Sequence, residues 1–413
     1  NPVPGGMLTL GIPNFRLEKD VLNAEIDILR EMGVEFRCGV EVGKDITIEQ
    51  LREQGYKGFY VAIGAQKSAR LGVAGEELTG VYGGVDFLRA VNLGEQPAIG
   101  KRCAVIGGGN VAMDVCRSAV RLGADETYVL YRRSEAELPA DPEEVREAME
   151  EGVRFRFLTA PVEILGADGK VTGIRVERMA LGEPDEKGRR KPVGTGEFET
   201  LAVSAVISAI GQQIDLCGID AGSKLQLGKR GTVLVDPATY QTAEPDVFAG
   251  GDLVTGPKFA IDAIAAGKEA AVSIHRFVHP GQSQLIGRDH RDYKSLDPAT
   301  VAVPIESFDN TPRQHAHDGS AEEAKKTFHD LRGVFTEEQM KKETERCLGC
   351  GAVVLNEDQC IGCGICTTKC KFDAIRLEKV NDTHGREYFR TLLTVAGNTP
   401  AAIGRLVRKT RGR

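Results

Sequence analysis

The sequence predicts an α/β protein built from two Rossmann-like domains, the second inserted in the first, followed by a small cysteine-rich domain. An apolar strand that ends in a glycine turn occurs at residues 58–65 and again at 205–212. Continuous apolar runs of this kind are typical of parallel strands buried on both faces. Between them a strand, a glycine loop (107–109), a helix and a second strand form a βαβ unit. Six of the ten cysteines lie between Cys347 and Cys370.

Length and charge exclude several classes of function. The 413 residues are enough for two to four domains, and the formal net charge of -7 argues against a nucleic-acid partner. The only basic concentration, residues 405–413, is expected to be a solvated end. Since no apolar run is long enough for a membrane helix, we expect a cytoplasmic protein.

The remaining elements follow from hydrophobic periodicity. It predicts helices at 18–32, 48–54, 110–122, 260–277 and 336–346, and strands at 34–40, 103–106 and 127–131. Alternation through 153–157, 162–165 and 171–179, around the turn Asp168-Gly169, predicts a small antiparallel hairpin. The expected domains are residues 1–94 with 220–280, residues 95–219, a linker at 281–335, and residues 336–413.

The glycine loop predicts a dinucleotide site. Gly107, Gly109 and Ala112 fit the pattern G-x-G-x-x-G/A between a strand and a helix, whose N-terminus attracts phosphate groups. The alternative is a structural glycine turn. An NAD-specific site would place Asp or Glu roughly twenty residues later, whereas here Arg132 and Arg133 follow the strand. An arginine pair suits a 2′-phosphate and favours NADP(H), unless the pair only faces solvent.

A second candidate site lies at Gly251-Asp252, where a strand ends shortly before the helix at Ala260. An aspartate there can accept hydrogen bonds from a polyol chain, and the helix N-terminus can stabilise negative charge on a reduced ring. The alternative is that Gly251-Asp252 is only a turn.

Five motifs together resemble the glutamate synthase small-subunit-like flavoproteins of the pyridine nucleotide-disulfide oxidoreductase superfamily. They lie at 5–13, 62–64, 107–114, 131–134 and 251–252, and the resemblance extends from Gly5 to about His279. The resemblance implies that FAD contacts Gly5, Gly6, Met7, Ile63, Gly64, Ala65, Gly251, Asp252, Ala260 and Ile261. It implies that NADP(H) contacts Gly107, Gly108, Gly109, Asn110, Val111, Arg132, Arg133 and Gly211.

The sequence departs from that family at its start. Members begin the FAD domain with a G-x-G-x-x-G turn and an acidic residue, and both belong upstream of Gly5. Either residues that precede Asn1 complete the FAD site, which we favour, or another segment does. Because many relatives also carry cluster-binding cysteines in that region, the number of clusters expected from this sequence is a lower bound.

The cysteines predict an iron–sulfur site. Cys360, Cys363, Cys366 and Cys370 have the C-x2-C-x2-C-x3-C spacing of ferredoxins, which holds a 4Fe-4S cluster. Together with Cys347 and Cys350, the six cysteines are the candidate iron ligands. Two clusters require eight cysteines, so one cluster is expected and its fourth ligand stays open. Lys371 stands where ferredoxins have proline. Zinc is a weaker alternative, because the two C-x2-C pairs are only nine residues apart.

These parts predict an FAD-containing NAD(P)H oxidoreductase that passes electrons to iron–sulfur clusters. Hydride transfer to a flavin needs orientation more than an acid or base, so no catalytic side chain is predicted. The expected partners are ferredoxin or subunits that contain iron–sulfur clusters or flavin. The alternatives are a glutamate synthase small subunit and a non-catalytic electron-relay subunit. A disulfide reductase is disfavoured, since no Cys-x-x-Cys occurs outside the C-terminal cysteines, and Cys103 and Cys116 are expected to be small core residues.

Overall fold

The structure is a computed structural model that describes residues 1–184, 190–228, 230–279, 281–288, 311–317, 319–346, 363–369, 375 and 377. The chain divides into two compact units. The first contains residues 1–288 and 304–348, and the second contains residues 289–303 and 349–413.

The helices of the described residues, in chain order, are α1 (Met7–Leu10), α2 (Lys19–Glu31), α3 (Ile48–Glu53), α4 (Gly84–Asn92), α5 (Asn110–Arg121), α6 (Pro142–Glu150), α7 (Asp252–Thr255), α8 (Ala260–Val278), α9 (Ala321–Ala324), α10 (Glu337–Arg346) and α11 (Ile365–Lys369). The predicted helices at 18–32, 48–54, 110–122, 260–277 and 336–346 correspond to α2, α3, α5, α8 and α10. All five are confirmed to within two residues.

The strands are β1 (Phe59–Val61), β2 (Lys67–Ser68), β3 (Val81–Gly83), β4 (Arg102–Ile106), β5 (Glu126–Tyr131), β6 (Arg154–Phe157), β7 (Thr159–Ala167), β8 (Lys170–Pro184), β9 (Arg190–Leu201), β10 (Ala205–Ser208), β11 (Gln212–Gln213) and β12 (Val247–Ala249). The predicted strands at 103–106 and 127–131 are β4 and β5, and the two predicted glycine-ended strands are β1 and β10.

The central sheet of the first unit has five parallel strands in the order β3-β10-β4-β5-β6. Alternate residues of its inner strands enter two separate cores. Val105, Val129 and Ile207 pack with the helices on one face. Ile106 and Leu130 pack with the antiparallel sheet on the other. Because both faces are covered, these strands are apolar throughout, which explains the continuous runs seen in the sequence.

The antiparallel part is larger than the predicted hairpin. Three strands, in the order β7-β8-β9, cover one face of the central sheet. The turn between β7 and β8 is formed by Asp168 and Gly169, as predicted, and both have positive φ angles (50° and 73°). The prediction missed β9, most of whose residues are exposed. It also placed residues 153–157 in the hairpin, whereas β6 pairs in parallel with β5.

A smaller parallel sheet joins β1 to β12, with Val61 opposite Ala249. A short antiparallel pair, β2 with β11, links it to the central sheet. Strand β2 follows β1, and β11 follows β10 of the central sheet. Residues 34–40, predicted as a strand, form turns and irregular backbone. Val34 and Val40 are exposed there, so the apolar pattern is not stabilised by pairing or burial within the described residues.

Helix α5, which follows the glycine loop, is held by a buried ion network. Glu151 accepts from both Arg117 (2.8 Å) and Arg121 (2.5 Å), and Arg117 also binds Glu147 (2.6 Å). The side chains of Arg121 and Glu151 are only 2% and 3% exposed. The guanidinium of Arg121 lies 4.0 Å from the centre of the Phe15 ring, so the network also reaches the N-terminal loop.

The segment that leads to the cysteines packs on this network. Arg121 donates from Nε to the carbonyl oxygen of Thr327 (2.9 Å), and the Phe328 ring lies beside Phe15 with a centroid distance of 6.2 Å. Asn14 donates to the carbonyl oxygen of Phe328 (3.0 Å). Residues predicted to be a linker are therefore attached to the N-terminal loop and to α5, although the predicted domain boundaries themselves stay predictions.

Asp114 on α5 connects the same helix to the N-terminal loop. Both of its carboxylate oxygens accept from Arg16 at 2.9 Å, and Arg16 also binds Glu144 on α6 at 2.5 Å. Burial, with a smaller contribution from Glu144, raises the pKa of Asp114 to about 7 against the opposing effects of Arg16 and Arg117. The helix that carries the glycine loop is thereby fixed to residues 14–19.

This raised pKa predicts a pH dependence of stability. The pKa of an aspartate in an unfolded chain is about 4. Between that pH and about 7, the unfolded chain therefore releases a proton that the folded chain keeps. The free energy of unfolding of the parent, measured against that of D114N, should fall as the pH rises through this window and level off above it. Denaturant titrations at several pH values check this, with D27N at an exposed site as the control. Parallel pH profiles for parent and D114N would contradict it.

Candidate functional site

The glycine loop has the geometry that a dinucleotide needs. Gly107, at the end of β4, has a φ of +138°, and a Cβ there would lie 2.3 Å from the carbonyl oxygen of Ala209. A Cβ on Gly109 would meet nothing within 4 Å, so the backbone is open at the start of α5. Ala112 is completely buried, which permits close packing of helix and strand. The three positions have the separate roles that the pattern G-x-G-x-x-A assigns to them.

A cleft of about 830 Å³ opens in front of this loop. It lies along the carboxyl ends of β4, β5 and β10, where nucleotides bind in open α/β sheets. The lining residues are Leu71, Val73, Val85, Ile106, Gly107, Gly108, Gly109, Asn110, Val111, Leu130, Tyr131, Arg132, Pro139, Thr159, Ala160, Pro161, Ser208, Ala209, Ile210, Gly211, Gln212, Pro257, Lys258 and Phe259. Among these described residues there are two cations and no carboxylate, which suits an anionic ligand.

The structure brings seven of the eight residues predicted for NADP(H) into this cleft: Gly107, Gly108, Gly109, Asn110, Val111, Arg132 and Gly211. Arg133 is not among the lining residues. Its Nε is buried and has no hydrogen-bond partner in the described part of the chain. A buried guanidinium nitrogen without a partner is costly, so this atom is available for an anion.

The loop after β5 is fastened to the glycine loop. Ala140 donates its N–H to the carbonyl oxygen of Gly108 (3.2 Å), and Asp141 donates its N–H to Oδ1 of Asn110 (3.0 Å). The Tyr131 hydroxyl donates to the carbonyl oxygen of Glu137 (2.7 Å). Sequence patterns did not reveal this bracing, because the contacts with Gly108 and Asn110 join groups about thirty residues apart. It fixes the wall of the cleft that carries Arg132.

The flavin-assigned residues of β1 and β12 meet at one edge of the smaller sheet. Ile63, Gly64 and Ala65 follow β1, and Gly251 and Asp252 follow β12; the two strands run in parallel. Gly64 and Gly251 have φ angles of 67° and 64°. Asp252 accepts the backbone N–H of Lys258 on Oδ1 (3.0 Å), and burial raises the pKa of its carboxyl. Ala260 and Ile261, at the start of α8, are exposed.

Gly5, Gly6 and Met7 lie at the start of α1, which packs against α2 and α4. Lys19 holds the loop that follows them. Its ammonium donates to the carbonyl oxygens of Leu8 (2.9 Å), Ile12 (2.5 Å) and Leu17 (3.1 Å), and burial lowers its pKa to about 8. None of the ten residues assigned to FAD lines the cleft. Their common role in one flavin site stays a prediction.

Of the six candidate iron ligands, Cys347, Cys350, Cys360 and Cys370 lie outside the described residues. Cys363 and Cys366 are exposed free thiols just before and within the first turn of α11, and Gly364, which lies between them, has a φ of 75°. A short helical turn with two exposed thiols is compatible with a cluster that needs several thiolates from one loop. By contrast, Cys103 and Cys116 are fully buried, and burial raises the pKa of the Cys103 thiol to about 11.

Comparison with known families agrees with this arrangement. Residues 18–267 match the family described as pyridine nucleotide-disulphide oxidoreductase, which is more than half of the chain. The chain belongs to this family. Residues 353–376 of the oxidoreductase match a 4Fe-4S binding domain, and this segment includes four of the six clustered cysteines. The predicted cofactors, FAD, a nicotinamide dinucleotide and a 4Fe-4S cluster, are those of the two matched families, and the predicted fold class is confirmed.

Two curated relatives are named as subunits of NADP-linked enzymes. The oxidoreductase is 43% identical to the NADP(+)-dependent formate dehydrogenase subunit beta of Moorella thermoacetica over 84% of this chain and 50% of that protein. It is 37% identical to the glutamate synthase [NADPH] small chain of Escherichia coli over 66% of this chain and 61% of that protein. The chain thus spans about half to three fifths of the length of these relatives. The expected resemblance to glutamate synthase small subunits is confirmed.

Among solved structures, the oxidoreductase resembles FprA of Mycobacterium tuberculosis in complex with NADPH, with a TM-score of 0.55 and 21% identity. The match covers 67% of this chain and 76% of FprA. At this identity the likeness shows the fold. Within the described residues, no helix combines the length and the apolar character that a membrane span requires.

Proposed function

We propose that this chain is the NADP(H)-reactive flavoprotein part of a larger redox complex, in which electrons pass between NADP(H), FAD and an iron–sulfur cluster. The partner is then a ferredoxin, or a subunit that contains iron–sulfur clusters or flavin. The names of the relatives as beta subunit and small chain support such an assembly. Clustered cysteines with ferredoxin spacing support a cytoplasmic location, because exposed thiols persist in reducing compartments.

The observation that carries the proposal is the cleft. A glycine loop opens the start of α5, and Arg132 stands at the end of β5 in place of a carboxylate. Helix N-termini and arginines both favour phosphate groups, and an acidic side chain in the lining would repel them. The described lining residues include the start of α5 and Arg132, and they include no acidic side chain.

The side chains of this chain bind and orient the dinucleotide. When bound, the flavin accepts a hydride as an electron pair and can release single electrons, which iron–sulfur clusters carry. The glycine loop receives the pyrophosphate, and the braced wall after β5 holds Arg132 near the 2′-phosphate. Gly211, with a φ of 146°, lies on the other side of β4, where the nicotinamide half is expected. Orientation in the cleft supplies most of what hydride transfer needs.

Removal of the arginine pair tests the dinucleotide assignment. In anaerobic titrations of the full-length protein, NADPH should bleach the flavin bands at much lower concentration than NADH. The double variant R132Q/R133Q should bind NADPH about 10- to 100-fold more weakly, because a charge-assisted contact contributes about 1.5–3 kcal/mol, and should bind NADH as before. R178Q, at an exposed position on β8, is the matched control.

Two results would contradict the proposal. Equal bleaching by NADH and NADPH would remove the role assigned to Arg132 and Arg133. A flavin that no nicotinamide dinucleotide bleaches would favour the non-catalytic relay subunit instead.

A further inference from the structure

The second cation of the cleft, Lys258, has no role in the predicted dinucleotide site. It lines the same cleft as Arg132, although it belongs to the segment between α7 and α8. Its ammonium group has no hydrogen-bond or ion-pair partner among the described residues, and the side chain is exposed. A free ammonium that faces a cleft without carboxylates is available to an anionic ligand.

The backbone around Lys258 is held at both ends. Its N–H donates to Oδ1 of Asp252 (3.0 Å), and the next N–H, that of Phe259, donates to Oδ2 of Asp262 (3.3 Å). Gly256 has a φ of 75°, and Pro257, which directly precedes Lys258, has its own φ fixed by its ring. Lys258 is therefore presented from a fixed backbone position, and only its flexible side chain has to order when a ligand binds.

The two cations come from different sides of the glycine loop. Arg132 follows β5, which lies on one side of β4 in the central sheet. Lys258 follows β12, which pairs with β1. The chain continues from β1 into β2, and β2 pairs with β11, the strand that follows β10. Strand β10 lies on the other side of β4. Lys258 thus enters from the side of Gly211, away from the arginines expected at the 2′-phosphate.

We propose that Lys258 binds the pyrophosphate of the dinucleotide, at the phosphate of its nicotinamide half, and so positions that half in the cleft. This inference rests on the proposed function and adds a residue to it. An ammonium is a compact donor that can contact phosphate oxygens from a flexible stem. Because NADH and NADPH share the pyrophosphate, Lys258 contributes to the affinity for both, whereas the arginines discriminate between them. Asp252 then has two roles, because the resemblance assigns it to FAD and its carboxylate also fixes the segment that carries Lys258.

Binding measurements on charge-removal variants test this assignment. The full-length flavoprotein is titrated with NADP⁺, NAD⁺ and 2′,5′-ADP, which lacks the nicotinamide-side phosphate. K258Q should raise the dissociation constants of NADP⁺ and NAD⁺ by the same factor, about five- to tenfold, and leave that of 2′,5′-ADP unchanged. K258R should restore both to within about twofold. K268Q, on an exposed position of α8, should change none of the three.

Each outcome decides the assignment. An unchanged affinity for NADP⁺ and NAD⁺ in K258Q would overturn it, as would a loss confined to NADP⁺, which would place Lys258 at the 2′-phosphate. An equal loss for 2′,5′-ADP would also overturn it. In each of these cases the proposed function stands if R132Q/R133Q behaves as expected. A parent protein that binds neither dinucleotide would overturn the proposed function and this inference together.

Discussion

Replacement of Cys363 by alanine is expected to abolish the iron–sulfur cluster while the flavin stays reducible by NADPH. A 4Fe-4S cluster is held by four thiolates, so the loss of one removes a bond that no neighbouring group replaces. Cys363 and Cys366 stand on either side of a tight turn at Gly364, so an alanine at 363 leaves the turn itself intact. The cleft belongs to the other compact unit of the chain, and its residues are unchanged by the substitution.

Iron and sulfide analysis of the purified full-length protein measures this effect directly. The variant should lose most of its iron and the broad visible absorbance of the cluster, and its transfer of electrons to a one-electron acceptor should fall by more than tenfold. C38A is the matched control, because Cys38 is also an exposed free thiol but is not one of the cysteines with the ferredoxin spacing. Parent-like iron content in C363A would contradict the assignment of this cysteine.

The central sheet could be predicted from the sequence because its interactions leave a local pattern. Strands buried on both faces are apolar throughout, and the glycine loop needs particular residues at fixed spacing. Strand β9 left no such pattern, since most of its side chains face solvent. Residues 34–40 gave the opposite error: they have an apolar pattern, but Val34 and Val40 stay exposed without a paired strand in the described residues.

The candidate site likewise contains residues that the sequence predicted and residues that it did not. The residues predicted to bind phosphate could be identified in the sequence because they follow one strand and begin one helix. Lys258 could not, because it reaches the cleft only through the pairing of β1 with β12 and of β2 with β11. The contact of Arg16 with Asp114 joins residues 98 positions apart and is likewise invisible to local patterns. Long-range polar contacts thus position the site, and sequence periodicity reports only the core beneath it.

The buried ion network makes the position of α5 depend on one carboxylate. Glu151 neutralises Arg117 and Arg121 together, and both arginines lie beside the Phe15 ring, at 4.7 and 4.0 Å. The hydrogen bonds from these arginines lower the pKa of the Glu151 carboxyl, although its burial acts in the opposite direction. Since Arg121 also donates to the carbonyl oxygen of Thr327, this network joins α5, the N-terminal loop and the segment that leads to the cysteines.

We therefore expect E151A to be strongly destabilising. The substitution leaves two buried guanidinium groups without their shared partner, and the removal of one member of a buried ion pair costs about 3–5 kcal/mol. E151Q, which keeps one hydrogen-bond acceptor, should lie between E151A and the parent. Urea titrations of the full-length protein give the free energy of unfolding for each variant.

E150A provides the matched control at the neighbouring position. Glu150 pairs with Arg146, and both side chains are about half exposed (52% and 53%), so its loss should cost less than about 0.5 kcal/mol. Because α5 begins at the glycine loop, E151A should also weaken NADPH binding under conditions in which the protein is still folded. A free energy of unfolding for E151A within about 1 kcal/mol of that for E150A would show that the arginines find other partners, and that the network does not fix α5.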